Sequence, residues 1–176
     1  RFKPYLTYVD ENGNSLDTMY DAAMFLGLDA PGTYGQAYAT ENDQITADGW
    51  TWYLEKTFNG DTSDIAYLNE AARQASQDLN LPNYKIKLTV MIPYPPSKAT
   101  NFGNLGGRDL NLSREADWKY AIDWYIGQVQ NYIQNGNYEY IDFLGFYWVN
   151  EYPSGIPRIQ YASEQVHDMG YKFYWI

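Results

Sequence analysis

The sequence has no cysteine and a single histidine, His167. The first absence removes disulfides, thiolate metal sites and a cysteine nucleophile, and it leaves the redox compartment open. A zinc centre draws about three or four ligands from His, Cys and carboxylates, so the ligand supply speaks against one. A Ser-His-Asp triad would have to use His167. That residue falls inside a helical pattern, and no G-x-S-x-G elbow accompanies it, so it reads as a surface or packing residue. No metal or cofactor is expected. No apolar run approaches the roughly 20 residues that span a bilayer. No basic segment followed by an apolar one opens the chain, so no signal peptide is visible there, and a start at Arg1 suggests a processed or trimmed product. Basic residues are few: 12 Lys and Arg stand against 22 Asp and Glu, a net charge of −10. Phosphate backbones and anionic membrane surfaces would be repelled, which speaks against nucleic acid and membrane as partners.

Aromatic residues are abundant instead, with 19 Tyr, 7 Phe and 6 Trp among the 176 residues. Rings that carry a polar handle suit surfaces with an apolar face and a polar rim. Sugar-binding clefts are such surfaces, because pyranose C–H faces stack on rings while the hydroxyls seek hydrogen bonds. The other reading is that the tyrosines fill a large core and its edge.

Apolar patterns alternate in period along the chain. Residues 2–9 read as a strand stopped by the turn cluster 10–14, and residues 22–26 as a second strand. A polar segment over 29–49 is long for a strand-to-helix connection, and long loops are often functional. Residues 50–58 look helical. Ser63 offers an N-cap to a helix marked by Ile65, Leu68, Ala72, Ala75 and Leu79 and ended by Pro82. Residues 85–92 form a clear strand, and a Gly-containing loop over 97–112 follows it. Ser113 is read as the cap of a helix reaching about residue 134 and closed by Gly136. Residues 141–149 are a near-continuous apolar strand, 159–169 a short helix and 171–176 a last strand.

Strand and helix in alternation point to parallel βαβ units. Long loops after strands and short ones after helices favour the α/β class of parallel (β/α) barrel, of TIM type, with a small open α/β sheet as the alternative. A complete barrel takes about 250 residues, and a final strand with no helix over it would be a bare edge. The expectation is therefore one partial barrel domain over residues 1–176 that holds the first four to five units, with a second chain or segment completing it.

The strongest chemical signal is the stretch from Gly145 to Tyr152, a strongly apolar strand that ends in Asn150-Glu151 beside Trp148 and Tyr152. At the mouth of a barrel such a pair stands where barrel enzymes keep their chemistry. Burial among aromatics disfavours a charged carboxylate, which suits a general acid. Asn150 could hold a sugar hydroxyl. Elsewhere, Asp10, Asn12 and Asn14 have the spacing of the first ligands of a calcium loop, but Ser15 replaces the glycine and Asp21 the glutamate, so a plain turn is the better reading. The Gly103–Gly107 stretch is Gly-rich without the spacing of a phosphate loop.

At Asn150-Glu151 the sequence resembles the clan of retaining glycoside hydrolases with (β/α)8 barrels, which place the acid/base Glu directly after an Asn at the end of the fourth strand. Counted from residues 2–9, the strand over 141–149 is also the fourth. A closer likeness is to an uncharacterised bacterial family of glycosidase-like barrels, a domain of unknown function. It is carried by the Tyr-rich start, Lys85 to Pro93, Gly145 to Trp148 with its following Glu, and Phe173 to Ile176. The resemblance implies further strands beyond Ile176 and a secreted or cell-surface protein. It implies a carbohydrate substrate, with Glu151 as acid/base and Asn150 positioning the sugar. The expected aromatic floor is Trp148, Tyr152, Tyr94 and Trp175. The clan's second carboxylate lies on a seventh strand, which these residues do not reach; Asp10 and Asp29, at the ends of the first two strands, could sit in the same mouth. A carbohydrate-binding barrel without catalysis and a structural, partner-binding domain are the other two readings.

Overall fold

A computed structural model describes residues 2–41 and 44–176. Arg1 and residues 42 and 43, within the polar segment after the second expected strand, lie outside the described residues. The chain opens with a single helical turn, α1 (Lys3–Leu6), where Pro4 sits in the first turn and gives up no needed N–H. β1 (Thr7–Val9) and β2 (Ser15–Thr18) then pair as an antiparallel hairpin. Asp10 makes the turn, its carboxylate accepting from the N–H groups of Asn12 and Asn14 and from the Asn14 amide.

β3 (Ala22–Phe25) is followed by α2 (Ala47–Phe58) and α3 (Asp64–Asp78). The Ser63 hydroxyl accepts from the Ala66 N–H and caps α3. β4 (Ile86–Ile92) leads to a short antiparallel hairpin, β5 (Gly103–Leu105) and β6 (Arg108–Leu110), which the Gly-rich stretch turns. α4 (Glu115–Asn135) has Arg114 rather than Ser113 at its N-cap, and the Ser113 hydroxyl donates to Asn111. β7 (Ile141–Trp148), α5 (Ile156–Asp168) and β8 (Lys172–Tyr174) complete the order.

The described residues do not form the expected barrel. Four strands form one open parallel sheet in the order β3-β4-β7-β8, and among the described residues no pairing joins β8 back to β3. The other four strands form two separate antiparallel pairs. Residues 7–9 belong to one of these, so the first expected strand is absent from the parallel sheet. The strand that ends in Asn150-Glu151 is its third member, not the fourth.

Ile86, Leu88, Val90 and Ile92 are fully buried and join the helix side chains Trp50, Leu68 and Tyr125 in one apolar core. Trp50 meets Phe102 and Tyr125 edge-on, at 5.2 and 5.5 Å between centroids. Each such ring contributes on the order of 1.5–3 kcal/mol by burial. Lys87 and Thr89 alternate with the buried set and face the other side of the sheet. There Thr89, Met24 and Tyr147 line an open cavity of about 550 Å³.

Candidate functional site

Where β3 and β7 leave the sheet at their C-terminal ends, Leu26, Gln36, Ala39, Val149, Glu151 and Tyr152 surround a cleft of about 500 Å³. Open α/β sheets place ligands at this end of their strands. The sequence brings the residues there by simple means. The apolar run of β7 carries the chain to the rim, and the loop over residues 29–41 folds back across it.

Asn150 is 1% exposed and ties three segments together. Its Nδ2 donates to the Ala39 carbonyl at 2.6 Å, and its own carbonyl accepts from the Trp175 indole N–H at 3.0 Å. The loop after β3 and the segment after β8 are thereby fixed to the end of β7. The Asn150 Oδ1 is buried without a partner, an unmet acceptor beside the cleft.

Glu151 is exposed on the cleft wall, and its carboxylate accepts from the Tyr147 hydroxyl at 2.5 Å. Tyr147 itself is buried. Burial, reinforced by the neighbouring Glu151 carboxylate, pushes its hydroxyl up to about 12, so at neutral pH it stays a donor and orients Glu151. The enclosure by aromatics expected for Glu151 is not what the chain builds. Trp148 and Tyr94 are fully buried and meet edge-on at 5.9 Å inside the core, where no sugar ring can stack. Tyr152, 65% exposed, and Trp175, 42% exposed, are the two open rings of the expected floor.

Neither aspartate lines the cleft with Glu151. Asp10 has all its hydrogen bonds within the β1–β2 turn, and the next residue but four, Ser15, reaches Asp78 at the end of α3. Asp29 accepts from the Ala37 N–H and borders a different cavity of about 260 Å³, with Trp52 and Lys56. Among the described residues no group of three or more His, Cys, Asp or Glu could hold a metal ion, and no helix is long and apolar enough to cross a membrane.

Three residues at this end escape the sequence reading. Tyr147 is the first. Gln36 lines the cleft with a left-handed φ of 64°, a conformation that costs a non-glycine residue about 1–2 kcal/mol. Strain held at a cleft is a mark of functional sites. Glu41 clasps the loop to the end of β4, accepting from the Tyr94 hydroxyl at 2.6 Å and from the Ser97 N–H at 2.7 Å. Partial burial pulls its pKa up, but these hydrogen bonds and the nearby Arg158 charge outweigh it and hold the carboxyl below the ordinary glutamate value. A lowered pKa adds stability above the unfolded value and loses it as pH falls through the folded one. The Ser97 amide resonance is therefore expected to titrate with a midpoint below 4.5. A midpoint at or above that value would show that the clasp does not favour the ionised form.

A family model described as "Domain of unknown function (DUF4855)" matches residues 1–176. Neither a curated protein nor a solved structure matches the chain.

Proposed function

The chain belongs to the DUF4855 family over its whole length, and we propose that its cleft handles carbohydrate, with Glu151 giving a proton to the leaving glycosidic oxygen and taking one from the water that replaces it. The observation that carries this reading is Glu151 on the wall of a 500 Å³ cleft, held there by the Tyr147 hydroxyl. A cavity of this size suits a small oligosaccharide segment. Tyr152 offers an open ring for C–H stacking, and Gln36 and Glu151 offer hydrogen-bonding groups beside it. An acid/base residue gives its proton to the leaving group and takes one back from the attacking water, and an exposed carboxylate lets that water reach it.

Binding without turnover is the second reading, and one observation favours it. Glu151 is the single carboxylate among the described residues that line the cleft, whereas glycosidases work with a second one about 5–9.5 Å away. Turnover of aryl glycosides and affinity for an oligosaccharide panel, measured on the wild type and on Glu151→Gln, separate the two. The expected result is a loss of turnover of about a hundredfold or more, with affinity kept within about threefold. Wild-type binding with no turnover selects the second reading. If no saccharide in the panel binds or reacts, both fail.

A further inference from the structure

We infer that the apolar cavity on the open face of the parallel sheet is an aglycone site, so that the substrate is a glycoside whose non-sugar part is uncharged and apolar. The inference rests on the carbohydrate reading of the neighbouring cleft and narrows it to a substrate class.

One side chain links the two cavities. The ring of Tyr147 lines the 550 Å³ cavity, while its hydroxyl donates to Glu151, which lines the 500 Å³ cleft. A glycoside that presents its bond to Glu151 would then have the polar groups of the cleft on one side and the apolar hollow on the other. The hollow is bounded by Met24, Thr89, Leu144, Tyr174 and Ile176 besides Tyr147, and none of the described residues lining it is charged. A second sugar would lose hydrogen bonds to water there and find few partners, which costs free energy for each unpaired hydroxyl. An alkyl or aryl group loses nothing of the kind and gains by burial. Both cavities are large enough for ring-sized groups.

Register shapes the wall of the hollow at this point. Met24 lies opposite Thr89, and Thr89 opposite Gly145. At Gly145 a β-carbon would meet the Lys172 backbone, so this glycine serves the close approach of β7 and β8. One residue before it, Leu144 has no partner in the β4–β7 register and bulges out to form part of the wall.

The test uses methyl and n-hexyl glycosides of the same sugars, with n-hexanol alone as the control, titrated calorimetrically against the whole chain. Hexyl glycosides are expected to bind at least tenfold more tightly than their methyl counterparts. Met24→Lys, at a residue 47% exposed on an edge strand, should erase that advantage and leave methyl glycoside binding as it was. Leu144→Lys is the second variant, with circular dichroism as the check on its fold. Equal affinities for methyl and hexyl glycosides in the wild type overturn the aglycone site and leave the carbohydrate reading intact, as does an advantage that survives in both variants. Binding of hexanol with no glycoside bound at all overturns the carbohydrate reading, and the aglycone site falls with it.

Discussion

Replacing Gly145 by alanine is expected to lower the melting temperature by about 8–16 °C, which corresponds to about 4 kcal/mol for a chain of this length. Gly145 adopts φ +147°, and a β-carbon there would stand 2.0 Å from the Lys172 carbonyl oxygen and 2.7 Å from its nitrogen. The obstacle is backbone, so no rotamer change relieves it. Either β8 moves away from β7 or the strand twists, and the unfavourable φ costs about 1–3 kcal/mol in addition. The consequence reaches the cleft. β8 leads directly to Trp175, whose indole N–H holds the Asn150 carbonyl. Thermal unfolding followed by circular dichroism, with tryptophan fluorescence as a local probe, measures both effects. A drop of less than 2 °C would mean that β8 shifts freely and that the β7–β8 contact does not fix the site.

The same glycine shows why part of the site could not be seen in the sequence. Alternation along a strand assigns its faces, and a bulge reverses the assignment beyond it. β4 pairs Leu88 with Phe143 but Thr89 with Gly145, so Leu144 is skipped and the parity of β7 changes. Beyond that point Tyr147 faces the open side and Trp148 the helix layer. Read without the bulge, Trp148 is as good a candidate for the sugar floor, and the sequence reading chose it. Gln36 and Glu41 were missed for another reason. Glu41 finds its partners 53 and 56 residues away, and the Ala39 carbonyl finds Asn150 at 111 residues. No local pattern encodes contacts at such separations. Asn150 and Glu151 stood out in the sequence because an amide and a carboxylate at the end of so apolar a strand break the pattern that surrounds them.

For the fold, β4, β7 and α3 follow from periodicity, since each has a long amphipathic or apolar run. The barrel did not follow, because strand patterning states which face is apolar and says nothing of whether the two outer strands meet. The opening residues misled in a specific way. Phe2, Tyr5, Leu6, Tyr8 and Val9 supply strand-like content, but Pro4 has no N–H for a ladder and its fixed φ suits a helical first turn. Only residues 7–9 pair, and they pair with β2, which was not anticipated. That hairpin took one strand out of the count and with it the positional match to a fourth barrel strand.

Asn150→Asp is expected to give the second large effect, a destabilisation of about 3–5 kcal/mol at pH 7. The substitution is nearly isosteric, so packing is kept and only the chemistry changes. The Asn150 Nδ2 donates to the Ala39 carbonyl, whereas an ionised carboxylate at this 1% exposed position would face that oxygen with no proton to offer. Burial raises the pKa of such an aspartate above its unfolded value. Between the two values the folded state binds more protons than the unfolded one, so stability falls as pH rises through that window. Acidification through that window protonates the carboxylate, restores a donor and recovers the loss progressively, most of it only as the pH approaches the unfolded value. The variant should therefore gain stability relative to the wild type as the pH is lowered from 7, the opposite trend to that from the Glu41 clasp. Denaturant unfolding of both proteins at a series of pH values measures the difference. A constant difference across pH would mean that the position admits water or that the loop over residues 29–41 lets go of β7, and Asn150 would then not be the tie that closes the cleft.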